Sequence, residues 1–197
     1  MQSHINRLTP DNIVAHLGHI FKHSGTQAYL GEPVTMAQHM LQGASLAEHQ
    51  GHSKAVVAAA LLHDIGHFTS DFGCFSMADT HDRQHEIYGA KVLAPFFPES
   101  VTQCVRHHVS AKRYLCATRE EYFSQLSAAS VHSLKLQGGP MSAQEVTEFE
   151  ANPHLQAIIQ VRLVDDGGKV ADLETHSFSD FEPLLQELVD EHCTKEN

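Results

Sequence analysis

The chain has 197 residues, 42% of them hydrophobic and 19% charged, which allows one ordinary domain with a real core and is unlike a disordered segment. A formal net charge of −11, with 13 dispersed Lys and Arg, argues against a nucleic-acid groove. The longest apolar run, Ala55 to Leu62, is too short to cross a bilayer, Met1-Gln2-Ser3-His4 opens no secretory stretch, and Cys74, Cys104, Cys116 and Cys193 form no CxxC pair, so a cytoplasmic protein without a zinc–thiolate site is expected.

Thr9-Pro10 reads as an N-cap followed by proline in the first helical position, opening a helix to about Lys22. Gly25 to Pro33 is a loop. Thr35 with Gln38 three residues on forms a capping box, and the helix it opens runs to Gln50, before Gly51. Its apolar positions Met36, Met40, Ala44 and Ala47 keep the helical period and bracket His39. Lys54 to Asp64 is apolar on nearly every face, which predicts a central helix. Phe68 to Thr80 reads as a loop. Helices follow near Asp82–Ala94, Glu99–Val109, Arg119–Ala129, Gln144–Ala151, Pro153–Asp165 and Asp180–Glu191. Ser142/Glu145 and Ser179/Glu182 read as further capping boxes. No strand pattern or repeat appears, so the expected fold is all-α, one domain over residues 1–197.

Seventeen histidines are unusual, and the pair His63-Asp64 at the end of the apolar helix organises them. His39 lies 24 residues before the pair and His85 22 after, with His108 further on and Asp165 near the end. Four imidazoles and two carboxylates can ligate two metals and leave positions open for substrate. Taken singly, His39 is more often a hydrogen-bonded core histidine, and Asp64 or Asp165 a helix-end cap. Together they are better explained by a shared metal, since each polar group buried unsatisfied costs about 2–7 kcal/mol. His4, His16, His19, His23, His49, His52, His154, His176 and His192 read as bystanders on exposed faces or near the termini.

The order His39, His63-Asp64, Asp165 resembles the HD-domain superfamily, whose pattern is H…HD…D, and implies a helical bundle with the metal core over about residues 35–169. The N-terminal helix and a lid loop would occupy 9–34, and a C-terminal helix 180–191. His85 and His108 add ligands for a second metal, with Asp64 as bridge. His108 is preferred to His107 because Lys112 then falls one turn along the same face. His81 reads as a supporting or exposed residue at the entrance of its helix. Tyr29-x-x-Glu32, His67, Lys112, Ser130-x-His132 and Asp165-Asp166-Gly167-Gly168-Lys169 extend the likeness, over about residues 27–169, to the mixed-valent di-iron oxygenases that cleave organophosphonates.

That resemblance implies two iron ions, Fe(II)/Fe(III), and O2 as co-substrate. One iron would be held by His39, His63, Asp64 and Asp165, the other by Asp64, His85 and His108. A 1-hydroxyphosphonate would chelate the second iron, with His67, Lys112, Ser130 and His132 as donors to the phosphonate. Each has an ordinary alternative, such as a solvated lysine or a helix-end hydroxyl. Tyr29 would cover the open iron position until substrate arrives and Glu32 would meet the amine; the alternative is a loop aromatic packed on the core. The implied reaction is oxidative C–P cleavage of a 1-hydroxy-2-aminoethylphosphonate. Phe68, Asp71, Phe72, Phe75 and Tyr114 suit a methylated amine, although each Phe could equally anchor its loop to the core; the resemblance is what implies the N-trimethyl substrate, giving glycine betaine and phosphate, over the primary amine, giving glycine. The rivals are a metal-dependent HD phosphohydrolase and a catalytically silent HD module. No nucleic acid, membrane or obligate protein partner is expected.

Overall fold

The computed structural model describes residues 8–29, 31–69 and 80–195. Among the described residues the regular structure is helical, apart from one isolated bridge between Ala28 and Thr35. In chain order the helices are α1 (Ile13–His23), α2 (Met36–His49), α3 (Lys54–Leu62), the one-turn α4 (Gly66–Thr69), α5 (His85–Leu93) and the long α6 (Glu99–Thr118). They continue as α7 (Tyr122–Gln125), α8 (Ala128–Leu136), α9 (Ala143–Glu150), α10 (Leu155–Gly167) and α11 (Phe178–Lys195). This is the all-α bundle that the periodicity predicts. Among the described residues no helix is long and apolar enough to cross a membrane.

The centre is α3. Ser53 Oγ accepts the Val56 N–H and starts the helix, and every residue from Val56 to Leu62 is buried. Helices α2, α6, α10 and α11 pack around it. Leu61 and Leu62, fully buried, each contribute about 1.5–3 kcal/mol. Because α3 ends inside this ring of helices, the next two residues, His63 and Asp64, emerge in the interior.

The two ends of the loop before α2 are tied together. The Tyr29 N–H donates to the Val34 carbonyl (2.9 Å), the Met36 N–H to the Gln27 carbonyl (3.0 Å), and the Glu32 N–H back to the Tyr29 carbonyl (2.7 Å). Gly31 takes φ +74, which its lack of a Cβ permits, so Tyr29 and Glu32 share a tight turn.

Several boundaries differ from the sequence expectation. Thr9 does not cap a helix with its side chain; its N–H donates to Asn12 Oδ1 (2.8 Å), and α1 begins only at Ile13. The expected helix at Glu99 runs on to Thr118, because Ala111, Lys112 and Leu115 continue its buried face. Arg119–Ala129 is not one helix: extended backbone at Leu126 (ψ 139) separates α7 from α8, and Ser127 caps α8 by accepting the Ser130 N–H. The last helix starts at Phe178, and Ser177 with Asp180, not Ser179 with Glu182, closes its first turn. The loop expected from Phe68 opens with α4, and its residues 70–79 lie outside the described residues.

Candidate metal centre

Three imidazoles are aimed by main-chain carbonyls. His39 on α2 bonds through Nδ1 to the Gly168 carbonyl (2.8 Å), His63 to Ala60 (2.8 Å), and His108 on α6 to Val105 (2.7 Å). A ring whose Nδ1 carries the proton presents a bare Nε2 lone pair, the atom a metal takes. The Nε2 atoms converge in pairs, His39 facing His63 at 3.0 Å and His85 facing His108 at 3.1 Å, so each pair has room for at most one proton between its two nitrogens. His85 opens α5 directly after Gln84, whose left-handed backbone (φ 53) turns the chain toward Asp64.

The carboxylates complete two sets. Asp165 Oδ1 lies 3.3 Å from His39 Nε2 and 3.8 Å from His63 Nε2, and Asp64 Oδ2 lies 3.7 and 3.4 Å from the same two atoms. Both oxygens are buried and make no hydrogen bond. The other oxygen of Asp64, Oδ1, is 3.1 Å from His85 Nε2 and 3.6 Å from His108 Nε2. Ligands about 2.1 Å from one cation lie about 3.0 Å apart at right angles and about 3.4 Å at tetrahedral angles. Orphaned oxygens and facing lone pairs at these spacings fit metal ions. One set has four atoms, the other three, and Asp64 belongs to both.

The metal-free electrostatics agree. Burial opposes charging of His63, but Asp64 and Asp165 outweigh it and raise it to about 9. Burial likewise opposes Asp64, yet His63 and the neighbouring imidazoles hold it well below the usual carboxylate range. A proton on His63 thus stands where a cation would.

Over the second set opens a pocket. Tyr29 stacks on the His39 ring at 4.2 Å and 12°, and Glu32 lines the same wall. His67, buried, stacks on His85 at 4.1 Å, and its Nε2 is 3.9 Å from Asp64 Oδ1. Lys112 is buried with its ammonium on Ser133 Oγ (2.7 Å); burial first, then Arg162, lowers it to about 7. On α8 and its C-cap the pocket face is Ala129, Ser130, Ser133 and Gln137, at helical spacing. His132 is two residues from Ser130 and therefore turned off that face; it does not line the pocket. His107 faces the Phe149 ring and is not in the cluster. Tyr114 also points away, bonding Glu150 (3.0 Å), while Asp71, Phe72 and Phe75 lie outside the described residues. His81 is exposed, and none of the other bystander histidines that are described is buried.

Residues 36–147 match the HD-domain family model. The chain belongs to the HD-domain family. Its relatives include a [1-hydroxy-2-(trimethylamino)ethyl]phosphonate dioxygenase (glycine-betaine-forming) from Leisingera caerulea, 60% identical over 188 residues that span 95% of this chain and 96% of the relative. A hydroxymethylphosphonate dioxygenase from Gimesia maris is 38% identical over 92% of this chain and 90% of its own. An uncharacterised protein of Acanthamoeba polyphaga mimivirus is 32% identical over 87% and 80%.

This HD domain draws its last carboxylate from beyond the matched stretch, on α10, and the residue that fixes it was missed by sequence reasoning. Arg162, buried, donates from Nη1 to Asp165 Oδ2 (2.6 Å) and also engages Asp166 and Tyr122. An arginine three residues before the ligand was the available signal. Gln42 and Ser133 were missed as well; both are common residues whose role depends on helix register.

Proposed function

We propose that this HD-domain enzyme cleaves the C–P bond of a 1-hydroxy-2-aminoethylphosphonate with O2, its favoured substrate being the N-trimethyl form. The observation that carries the reading is the 60% identity to the Leisingera dioxygenase across nearly the whole of both chains. It is supported by the ligand cluster, whose sets of four and three atoms each include one oxygen of Asp64. The metals are proposed to be two irons, one held by His39, His63, Asp64 and Asp165, the other by Asp64, His85 and His108. Bound there, they supply the redox chemistry that activates O2.

The chain's own residues would bind and orient the substrate. Lys112 supplies a charge to the phosphonate, with His67 and Ser130 as hydrogen-bond partners and Ser133 holding the lysine in place. Tyr29 and Glu32, on one turn, would close over the ligand, Glu32 meeting the cationic end. Overall the C1–H and C–P bonds break, and four electrons pass from the substrate to O2. By atom balance C1 and phosphorus each gain one oxygen, yielding a carboxylate, inorganic phosphate and one proton.

Phosphate release measured with and without O2, on both 1-hydroxyphosphonates, tests this. Release only in O2, with a higher kcat/KM for the trimethylammonium compound, is expected. Release without O2 would overturn the oxygenase reading, since water and not O2 would then supply the oxygen that phosphorus gains.

A further inference from the structure

Lys169 has a fixed place at the pocket that none of the preceding chemistry uses. The backbone on both sides of it is clamped by α2. Gly168 accepts from His39 Nδ1 (2.8 Å), the Val170 N–H donates to Gln42 Oε1 (2.9 Å), and the Val170 carbonyl accepts from Gln42 Nε2 (2.7 Å). His39 and Gln42 are one turn apart on the same helix face, and Gln42 is buried. A Cβ on Gly168 would sit 2.8 Å from the His39 carbonyl oxygen, so glycine permits the close approach.

From this anchor the Lys169 ammonium reaches 3.0 Å to Ser130 Oγ, 3.7 Å to Glu32 Oε1, and 5.8 Å to the centre of the Tyr29 ring. Both partners of the ion pair are largely enclosed, with side chains 12% and 11% exposed. Glu32 Oε1 is buried and makes no hydrogen bond, so its stabilisation there is electrostatic. One cation therefore touches both the turn that carries Tyr29 and Glu32 and the hydroxyl placed for the phosphonate.

We propose that Glu32 and Lys169 form an internal ion pair that the zwitterionic substrate replaces, its ammonium taking Glu32 and its phosphonate taking Lys169. This rests on the functional reading above and adds a source of specificity. A substrate with both charges repairs both partners of the broken pair. A phosphonate without an amine draws Lys169 away and leaves Glu32 enclosed without a cation, so it binds more weakly. Lys169 is then a residue that selects for the amine.

The test is a double-mutant cycle on binding, read by calorimetry of the metal-loaded protein without O2, with hydroxymethylphosphonate as the amine-free probe. Glu32→Gln frees Lys169 and is expected to tighten the probe by about fivefold more when Lys169 is present than in a Lys169→Met background. Simple repulsion between Glu32 and the phosphonate acts in both backgrounds and cancels from the comparison. Lys169→Arg should restore the coupling, which guards against a misfolded Met variant. Equal effects of Glu32→Gln in all three backgrounds would overturn the exchange. Wild-type phosphate release in O2 is a separate measurement: its absence would sink the functional reading, while the binding cycle would still report on the pair.

Discussion

Arg162 takes one oxygen of Asp165 and leaves the other to the histidines. Its Nη1 donates to Oδ2 at 2.6 Å, while Oδ1 faces His39 and His63. The carboxylate is thereby held to one metal-facing atom, and the guanidinium and His63 keep it ionised against its burial. Replacing Arg162 by Met strands a buried carboxylate. The expected result is a 10–100-fold loss of metal affinity, an order-of-magnitude figure for residues supporting a ligand, together with a loss of about 3–5 kcal/mol in stability. Metal titration and denaturant unfolding check the two parts, and wild-type metal affinity in the variant would refute the assignment.

Asp64 contributes one oxygen to each ligand set. Protein from iron-supplied cells is expected to carry about two irons per chain. Asp64→Ala should lose both, whereas His85→Ala or His108→Ala should preferentially empty the three-atom set. Elemental analysis distinguishes these outcomes. A fully active protein holding a single zinc would contradict the di-iron proposal.

The pH dependence of the metal-free chain follows from opposed shifts. His63 is raised in the fold to about 9, so its contribution to stability is full below its unfolded pKa, about 6.5, and is lost as pH rises to 9. His108 and His67, lowered by burial to about 4 and about 3, must be buried neutral, so they destabilise the fold as pH drops below about 6.5. Stability without metal should peak near pH 6.5 by these groups. Metal displaces the His63 proton, so calorimetry in buffers of different ionisation heat should detect proton release on loading at pH 7. Metal uptake without proton release at that pH would show that His63 is already neutral.

Tyr29 covers the His39 ring beside the proposed open position. Tyr29→Phe keeps the stacked ring and should fold normally, but should lose its mixed-valent EPR signal faster in air when substrate is absent. An unchanged decay would limit Tyr29 to packing.

Gly66 is where α4 meets α5. A Cβ there would lie 1.8 Å from the His85 carbonyl oxygen and 2.8 Å from the Gly89 nitrogen, both main-chain atoms that cannot turn aside. Gly66→Ala should therefore shift His85 and cost at least about 1–3 kcal/mol, the usual range for overpacking. Unfolding of the metal-free and metal-loaded proteins reads it, and the loaded form should lose more.

Local signals were the legible ones. The capping boxes at Thr35/Gln38 and Ser142/Glu145 occur as written, because four consecutive residues contain the whole interaction. The ligand histidines stand out through their spacing around an apolar helix. The break at Leu126 carries no Gly or Pro, so the register of α8 was hidden, and with it the choice of Ser133 over His132. Lys169 and Gln42 depend on the packing of α10 on α2, a contact between segments about 128 residues apart.

His39, His63 and His108 are each steered by a peptide carbonyl, and every residue type has one. Their orientation therefore does not depend on the identity of a supporting side chain. Substitutions on the α8 face or in the turn bearing Tyr29 and Glu32 leave those three hydrogen bonds in place. The architecture separates two inheritances, a cradle written in backbone and a cavity written in side chains. A descendant of this chain can change which molecule it accepts without relearning how to hold its metals.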